Sequence, residues 1–300
     1  FGALIGAARL SVDPKGEQTI DFVLDARHAY LQDHMIDDTP VLPAAVATDI
    51  MAEGVAALWP DWVLTEVQQV RLVKGVELSD ASLPMQVHVI PAPYGDAGGF
   101  EVQVLLRSGS ADNTTIHYRC VARLEQELQP MPFHKAGKHP DKSVTAALAY
   151  SDWLFHGPRF QLITGINGVS QEGSSSVLIP TRPSEWLTGA GEGEQWLFDP
   201  GVVDAAPQMA IIWARKFLGK TALPSRFERV VRYSETLPEK MEMRFEIREE
   251  SADFKVIADV YFCDPKGSIL LAIEGMECIA SEELNRLGGT ANGGPEQQLA

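Results

Sequence analysis

Three short segments hold the residues whose types and spacing could do chemistry. The first is His34-Met-Ile-Asp-Asp-Thr-Pro-Val-Leu-Pro43, a loop marked by two prolines and two aspartates, with Pro43 placed where a helix would begin. A neutral imidazole accepts a proton readily near pH 7, so His34 is a candidate base, although a loop histidine taken alone is more often a surface residue than a catalyst. The second is Phe198-Asp-Pro-Gly-Val-Val-Asp-Ala-Ala-Pro-Gln208, which sets Asp204 among apolar residues with Gln208 four positions on, on the same helical face. Proline is tolerated only in the first turn of a helix, so Pro207 predicts that Asp204 lies at or near the helix N-terminus. Two readings of Asp204 then stand, an N-cap or an acid poised in an apolar cavity with Gln208 fixing its orientation. They imply opposite pKa shifts, because the helix dipole favours the carboxylate and burial favours the neutral acid. The third segment, Leu154-Phe-His-Gly-Pro-Arg-Phe160, is an aromatic-flanked Gly-Pro turn that either seats Phe155 and Phe160 in a core or belongs to a site. A metal is not expected: His34 with Asp37 and Asp38 offers no second histidine at ligand spacing. The run Gly189-Ala-Gly-Glu-Gly193 follows no strand and is not a phosphate cradle.

Elements to position these residues can be read around them. From Ala44 to Trp59 the apolar stripe Ala47, Ile50, Met51, Gly54, Val55 and Leu58 predicts a helix that Pro60 ends, and its many alanines let a sheet come close. Strands are predicted at Thr19–Leu24, within Trp62–Leu78, and where residues alternate around Met85–Val89, Phe100–Leu106 and Ile116–Ala122. Glu127–Lys142, with three prolines and no long apolar run, reads as a linker. Strands at Gly165–Val169 and Ser174–Ile179, a polar loop over Thr181–Gln195, a helix at Val202–Leu218 and strands at Met241–Ile247, Lys255–Phe262 and Ser268–Ile273 then repeat the layout. The fold class expected is α+β, two units each with a curled antiparallel sheet around one helix. The division is a lead-in over 1–17, a first unit over 18–126, the linker at 127–142, a second unit over 143–285 and a disordered tail at 286–300.

Composition bounds the partners. A formal charge of −16 argues against nucleic acid or an anionic membrane surface, and no apolar run reaches the ~18–20 residues of a membrane span. Cys120, Cys263 and Cys278 lack metal-ligand spacing, and their odd number suggests reduced thiols and a cytoplasmic setting. The chain opens on Phe1 without a basic signal-peptide region and reads as a piece of a longer polypeptide.

The three segments together resemble the dehydratase domain of polyketide synthases and related polyunsaturated fatty acid synthases. The family motif His-x-x-x-Gly-x-x-x-x-Pro reads here as His34, Asp38 and Pro43. Tyr-Gly-Pro-x-Phe reads as His156, Gly157, Pro158 and Phe160, and Asp-x-x-x-Gln/His reads as Asp204 and Gln208. Order and spacing match over roughly residues 18 to 282. The resemblance implies a double hotdog fold and dehydration of a 3-hydroxyacyl thioester, held on the phosphopantetheine of an acyl carrier protein, to a 2-enoyl thioester. His34 would take the C2 proton and Asp204 would protonate the leaving hydroxyl, or only orient it while His34 handles both protons. Backbone N–H groups around Asp38 and Gly157 would hold the enolate oxygen. No cofactor is implied, and neighbouring synthase domains and a homodimer are expected. Two departures stand out, Asp38 for the family glycine and His156 for its tyrosine. Arg215, Lys216, Lys220, Arg226, Arg229 and Arg232, opposed only by Glu228, suggest a docking surface for an acidic carrier protein, or else ordinary helix-end cations. A product-template cyclase, a non-catalytic module and a hotdog thioesterase are the alternative functions.

Overall fold

A computed structural model describes residues 2–78, 82–91, 98–110 and 113–289. The alternating stretches become twelve antiparallel strands. In the first half these are β1 (Arg9–Val12), β2 (Gln18–Asp25), β3 (Val63–Leu72), β4 (Ser82–Pro91), β5 (Gly99–Ser110) and β6 (Asn113–Glu125). The second half holds β7 (Ile163–Ser170), β8 (Gly173–Leu178), β9 (Thr221–Arg232), β10 (Met241–Ile247), β11 (Lys255–Cys263) and β12 (Ile269–Ser281). They form one sheet in the order β1-β2-β4-β5-β6-β3-β9-β12-β11-β10-β8-β7. Read outward from the central β3–β9 pair, the two halves have the same order, each strand of the second half lying six positions after its counterpart. A helix precedes β3 in one half and β9 in the other, α1 (Ala44–Leu58) and α2 (Pro200–Phe217). This is the double hotdog architecture, and the duplication exists as topology rather than as repeated residues.

Each helix is wrapped by its sheet. Every residue of α1 from Ala45 to Val55 is buried, so the apolar stripe marks only the most apolar side of a helix enclosed nearly all round. Small side chains permit the approach: a Cβ on Gly54 would lie 2.8 Å from Val87 Cγ1 of β4. Cys120 of β6 meets Met51 of α1 at 3.7 Å, a packing contact, and all three cysteines are unpaired and buried. The two helices also touch each other, which brings their N-terminal approaches to one place. No helix among the described residues is long and apolar enough to cross a membrane.

Some elements differ from the sequence expectation. Arg9–Val12 adds an edge strand inside the expected lead-in. The expected linker carries no regular element, but it lies along the second half through bridges of Phe133 to Ser268 and Asp141 to Val169. The polar loop contains a one-turn helix at Pro183–Trp186. A 3-10 turn, Glu283–Leu287, continues into the expected tail and buries Leu287, while residues 290–300 lie outside those described. The largest omission is β9, the strand that joins the halves through pairs such as Phe227 with Val70 and Val230 with Val67.

Candidate active site

His34 is held by a hairpin that folds back over it. Met35–Ile36 pairs with Thr39–Pro40 across a two-residue turn in which Asp37 and Asp38 have φ of 49° and 62°. Positive φ at both positions is the turn that matches strand twist, and aspartate tolerates it better than most residues. The glycine that the family motif carries at position 38 suits this left-handed backbone. The hairpin returns Val41 beneath His34, whose own carbonyl accepts the Val41 N–H at 3.1 Å. His34 Nδ1 lies 2.9 Å from the Val41 carbonyl, which can only accept, so Nδ1 carries the hydrogen and Nε2 keeps its lone pair. Burial lowers the His34 pKa to about 4, and the ring is neutral at pH 7.

Asp204 lies in the second turn of α2 and is not its cap. Asp199 is the N-cap, accepting from Gly201 N at 2.9 Å and Val202 N at 3.2 Å, with Pro200 in the first turn. Pro207 therefore sits inside the helix and leaves the Val203 carbonyl without its helical donor. This corrects the placement of Asp204 at the helix N-terminus and removes the capping reading. The Asp204 carboxyl is 3% exposed, and burial raises its pKa to about 7 against the opposing hydrogen bond from Gln208.

Gln208 is pinned on three sides. Its Nε2 donates to Asp204 Oδ2 and to the Phe160 carbonyl, both at 2.9 Å, and its Oε1 accepts from the Tyr150 hydroxyl at 3.1 Å. The Tyr150 oxygen in turn accepts the Ile163 N–H at 3.1 Å. Asp204 is thus oriented by a network that reaches Tyr150, Phe160 and Ile163 on three other elements of the second half.

The third segment is clamped to the first by Asp33. The Gly157 N–H donates to the Asp33 carbonyl at 2.7 Å, and Asp33 Oδ2 accepts from Arg159 N at 3.2 Å and Arg159 Nη1 at 2.9 Å. A Cβ on Gly157 would come within 2.8 Å of Asp33 Cα, so only glycine fits. Pro158 opens the 3-10 turn that ends at the buried Phe160. His156 is carried into the site, its Nε2 3.3 Å from Asp204 Oδ2 and its ring stacked 4.1 Å from Phe155. Burial and then the neighbouring His34 hold its pKa well below the usual histidine range.

His34, His156 and Asp204 share a cavity of about 80 Å³ walled mainly by apolar residues, among them Pro43, Leu42, Phe155 and Pro207. A base with a free lone pair and a carboxyl whose pKa burial raises to about 7, so that its protonated form is well populated at neutral pH, face the same small space. That arrangement suits removing one proton and delivering another. A larger cleft of about 540 Å³ beside Arg232 and Trp196 contains neither histidine nor Asp204.

The remaining sequence candidates fall elsewhere. Asp38 is exposed at the hairpin tip and does not line the cavity. The Gly157 N–H is already given to Asp33, so it is not available to an enolate oxygen. The six basic residues are each engaged within the chain or buried and do not form a free basic face. Arg229 is paired with Glu66 and Glu274, Lys216 with Asp141 and Arg226 with Glu228. Arg215 Nη2 donates to the Asn285 carbonyl at 2.7 Å, Lys220 to the Asp253 carbonyl at 2.8 Å, and Arg232 is buried. Tyr150, Asp33 and Val41 were not singled out from sequence. Tyr150 meets Gln208 from 58 positions away, and no local pattern announces such a contact.

Residues 140–287 match the family described as polyketide synthase dehydratase N-terminal domain, and residues 3–107 match the polyketide synthase dehydratase domain. The chain is 29% identical over 240 residues to one of the polyunsaturated fatty acid synthase proteins of Thraustochytrium sp., covering 77% of this chain and 8% of that one. It is 29% identical over 212 residues to one of the phenolphthiocerol/phthiocerol polyketide synthase proteins of Mycobacterium tuberculosis, covering 65% and 9%. It therefore spans less than a tenth of the length of these relatives. The fold matches the dehydratase domain from the CurF module of curacin polyketide synthase with a TM-score of 0.75 at 17% identity, over 93% of this chain and 99% of that one. Two inactive mutants of the CurK dehydratase, one aspartate-to-asparagine and one histidine-to-phenylalanine, each match with a TM-score of 0.72 at 18% identity, over 94% and 96% of this chain and 98% and 99% of theirs.

Proposed function

The chain belongs to the polyketide synthase dehydratase family, and on that premise we propose that His34 and Asp204 dehydrate a 3-hydroxyacyl thioester to a 2-enoyl thioester. The observation that carries this reading is the meeting of His34 and Asp204 at one buried, mainly apolar cavity, where burial keeps the imidazole neutral and raises the carboxyl pKa to about 7. The thioester acidifies the C2 proton, and His34 Nε2 takes it as the C2–H bond breaks. The electron pair forms the C2–C3 double bond while the C3–O bond breaks, and the Asp204 carboxyl gives its proton to the departing hydroxyl, which leaves as water. His34 ends as imidazolium and Asp204 as carboxylate, and one proton passes from the first to the second before the next turnover. Gln208 holds Asp204 throughout, and the Val41 carbonyl holds the His34 tautomer. The step as written uses no cofactor. That inactive CurK dehydratase mutants carry a changed histidine and a changed aspartate agrees with a two-residue mechanism.

The substrate would arrive on the phosphopantetheine arm of an acyl carrier protein, within a synthase whose other domains flank this one. The test is a 3-hydroxyacyl thioester, free or carrier-bound, followed by mass spectrometry for loss of one water. Release of free acid without an alkene would instead make the protein a thioesterase.

A further inference from the structure

The catalytic pair has a third buried neighbour that can bind a metal. One ring nitrogen of His34, one ring nitrogen of His156 and one oxygen of Asp204 lie within 4.8 Å of one another, and all three residues are buried. Zinc bound by nitrogen and oxygen at roughly 2.0–2.2 Å in a tetrahedral shell sets its ligands roughly 3.4 Å apart. His156 Nε2 and Asp204 Oδ2 already stand at 3.3 Å, the length of one such edge. The Nδ1 hydrogen bond to Val41 leaves the His34 Nε2 lone pair for a metal, and a carbonyl behind a ligating imidazole is the usual outer support of a zinc site. Gln208 supports the Asp204 carboxylate in the same way. His156 Nδ1 is buried without a hydrogen-bond partner among the described residues, so no acceptor there fixes which of its nitrogens carries the proton. The cavity leaves a fourth position open.

We propose that His34, His156 and Asp204 form a His2Asp site for a divalent transition-metal ion, zinc above all, whose occupancy blocks the protein's own reaction. Two imidazoles and one carboxylate select zinc, iron, nickel or copper over magnesium and calcium. The blocking role rests on the proposed dehydration: a metal on His34 Nε2 removes the lone pair that takes the C2 proton, and a metal-bound Asp204 has no proton to give. The site depends on the imidazole at position 156, which stands where the family motif has tyrosine.

The test begins with chelator-treated whole chain and zinc, by isothermal titration and equilibrium dialysis. One zinc per chain is expected, and both His156→Tyr and His156→Phe should weaken it at least ~10²-fold, since loss of a mere outer partner typically costs 10–100-fold. X-ray absorption at the zinc edge of the unaltered chain should show two imidazoles and oxygen, a readout that does not depend on any variant folding. No stoichiometric binding, sulfur ligation, or affinity unchanged in both His156 variants would overturn the site. Activity separates the two claims. Chelated protein that dehydrates and zinc-loaded protein that does not would support the block. Equal turnover in both states would overturn the block and leave the dehydratase standing. Stoichiometric zinc with no turnover in the chelated state would sustain the site and count against the dehydratase reading on which the block rests.

Discussion

Gln208 tests whether Asp204 works as an acid, because it is the hydrogen bond opposing burial in setting the Asp204 pKa. Gln208→Met keeps the length and apolar stem of the side chain and removes the 2.9 Å donation to Asp204 Oδ2. A hydrogen bond to a charged acceptor is worth about 1.5–3 kcal/mol and one to a neutral acceptor about 0.5–1.5, so its loss disfavours the carboxylate by about 1 kcal/mol. At about 1.4 kcal/mol per unit, the Asp204 pKa should rise by about 0.7 from its value of about 7. The alkaline limb of kcat/KM, where the proton donor is lost, should move up by the same amount. The variant also removes one partner from the Phe160 carbonyl, which keeps the Leu162 N–H, and one from the Tyr150 hydroxyl, which keeps the Ile163 N–H, and this should cost about 1–3 kcal/mol in a denaturant titration. The assay is kcat/KM on a soluble 3-hydroxyacyl thioester between pH 5 and pH 9, with circular dichroism confirming the fold. An alkaline limb that stays in place or moves to lower pH in a folded variant refutes the reasoning.

Further outcomes follow from the same geometry. Asp204→Asn should be inactive yet relatively more stable at high pH. The folded pKa of Asp204 is raised to about 7 from 3.8, so the native state holds its proton more tightly and stability falls as pH rises through that window. Urea titrations at pH 5 and pH 8 should show the advantage of the variant growing by about 3 kcal/mol, and a constant difference would mean the carboxyl is not buried as described. Gly157→Ala should lower turnover by about 10²-fold and stability by about 1–3 kcal/mol, because the Asp33 backbone must yield and His156 and Phe160 move with it. Kinetics indistinguishable from the parent would refute the clamp. Arg229→Ala should cost about 1–2 kcal/mol, leaving the buried Glu66 short of its cation, and should lower carrier-bound and free thioester turnover equally. A loss confined to the carrier-bound substrate would restore the docking role.

The helices and the alternating strands were legible because burial on one face writes a period into the sequence. β9 was not, because its polar positions serve neighbouring strands rather than solvent: Arg229 answers Glu66 on β3 and Glu274 on β12, so the strand looks like a run of surface cations. Asp204 stood out in the sequence but was misplaced along its helix, since Pro207 violates a helix rule inside an otherwise regular helix. Such local violations gather at functional sites. The three motif segments were visible as residues, whereas the contacts that join them were not. Asp33 on the Gly157 loop and Tyr150 on Gln208 are meetings of distant segments that only the folded chain makes.

The central claim is that His34 and Asp204 together remove water from a 3-hydroxyacyl thioester. The most direct measurement is mass spectrometry of that substrate incubated with the chelator-treated chain, beside His34→Ala and Asp204→Asn. Loss of one water that vanishes in both folded variants is the predicted result. Water loss that persists in either variant would contradict the account.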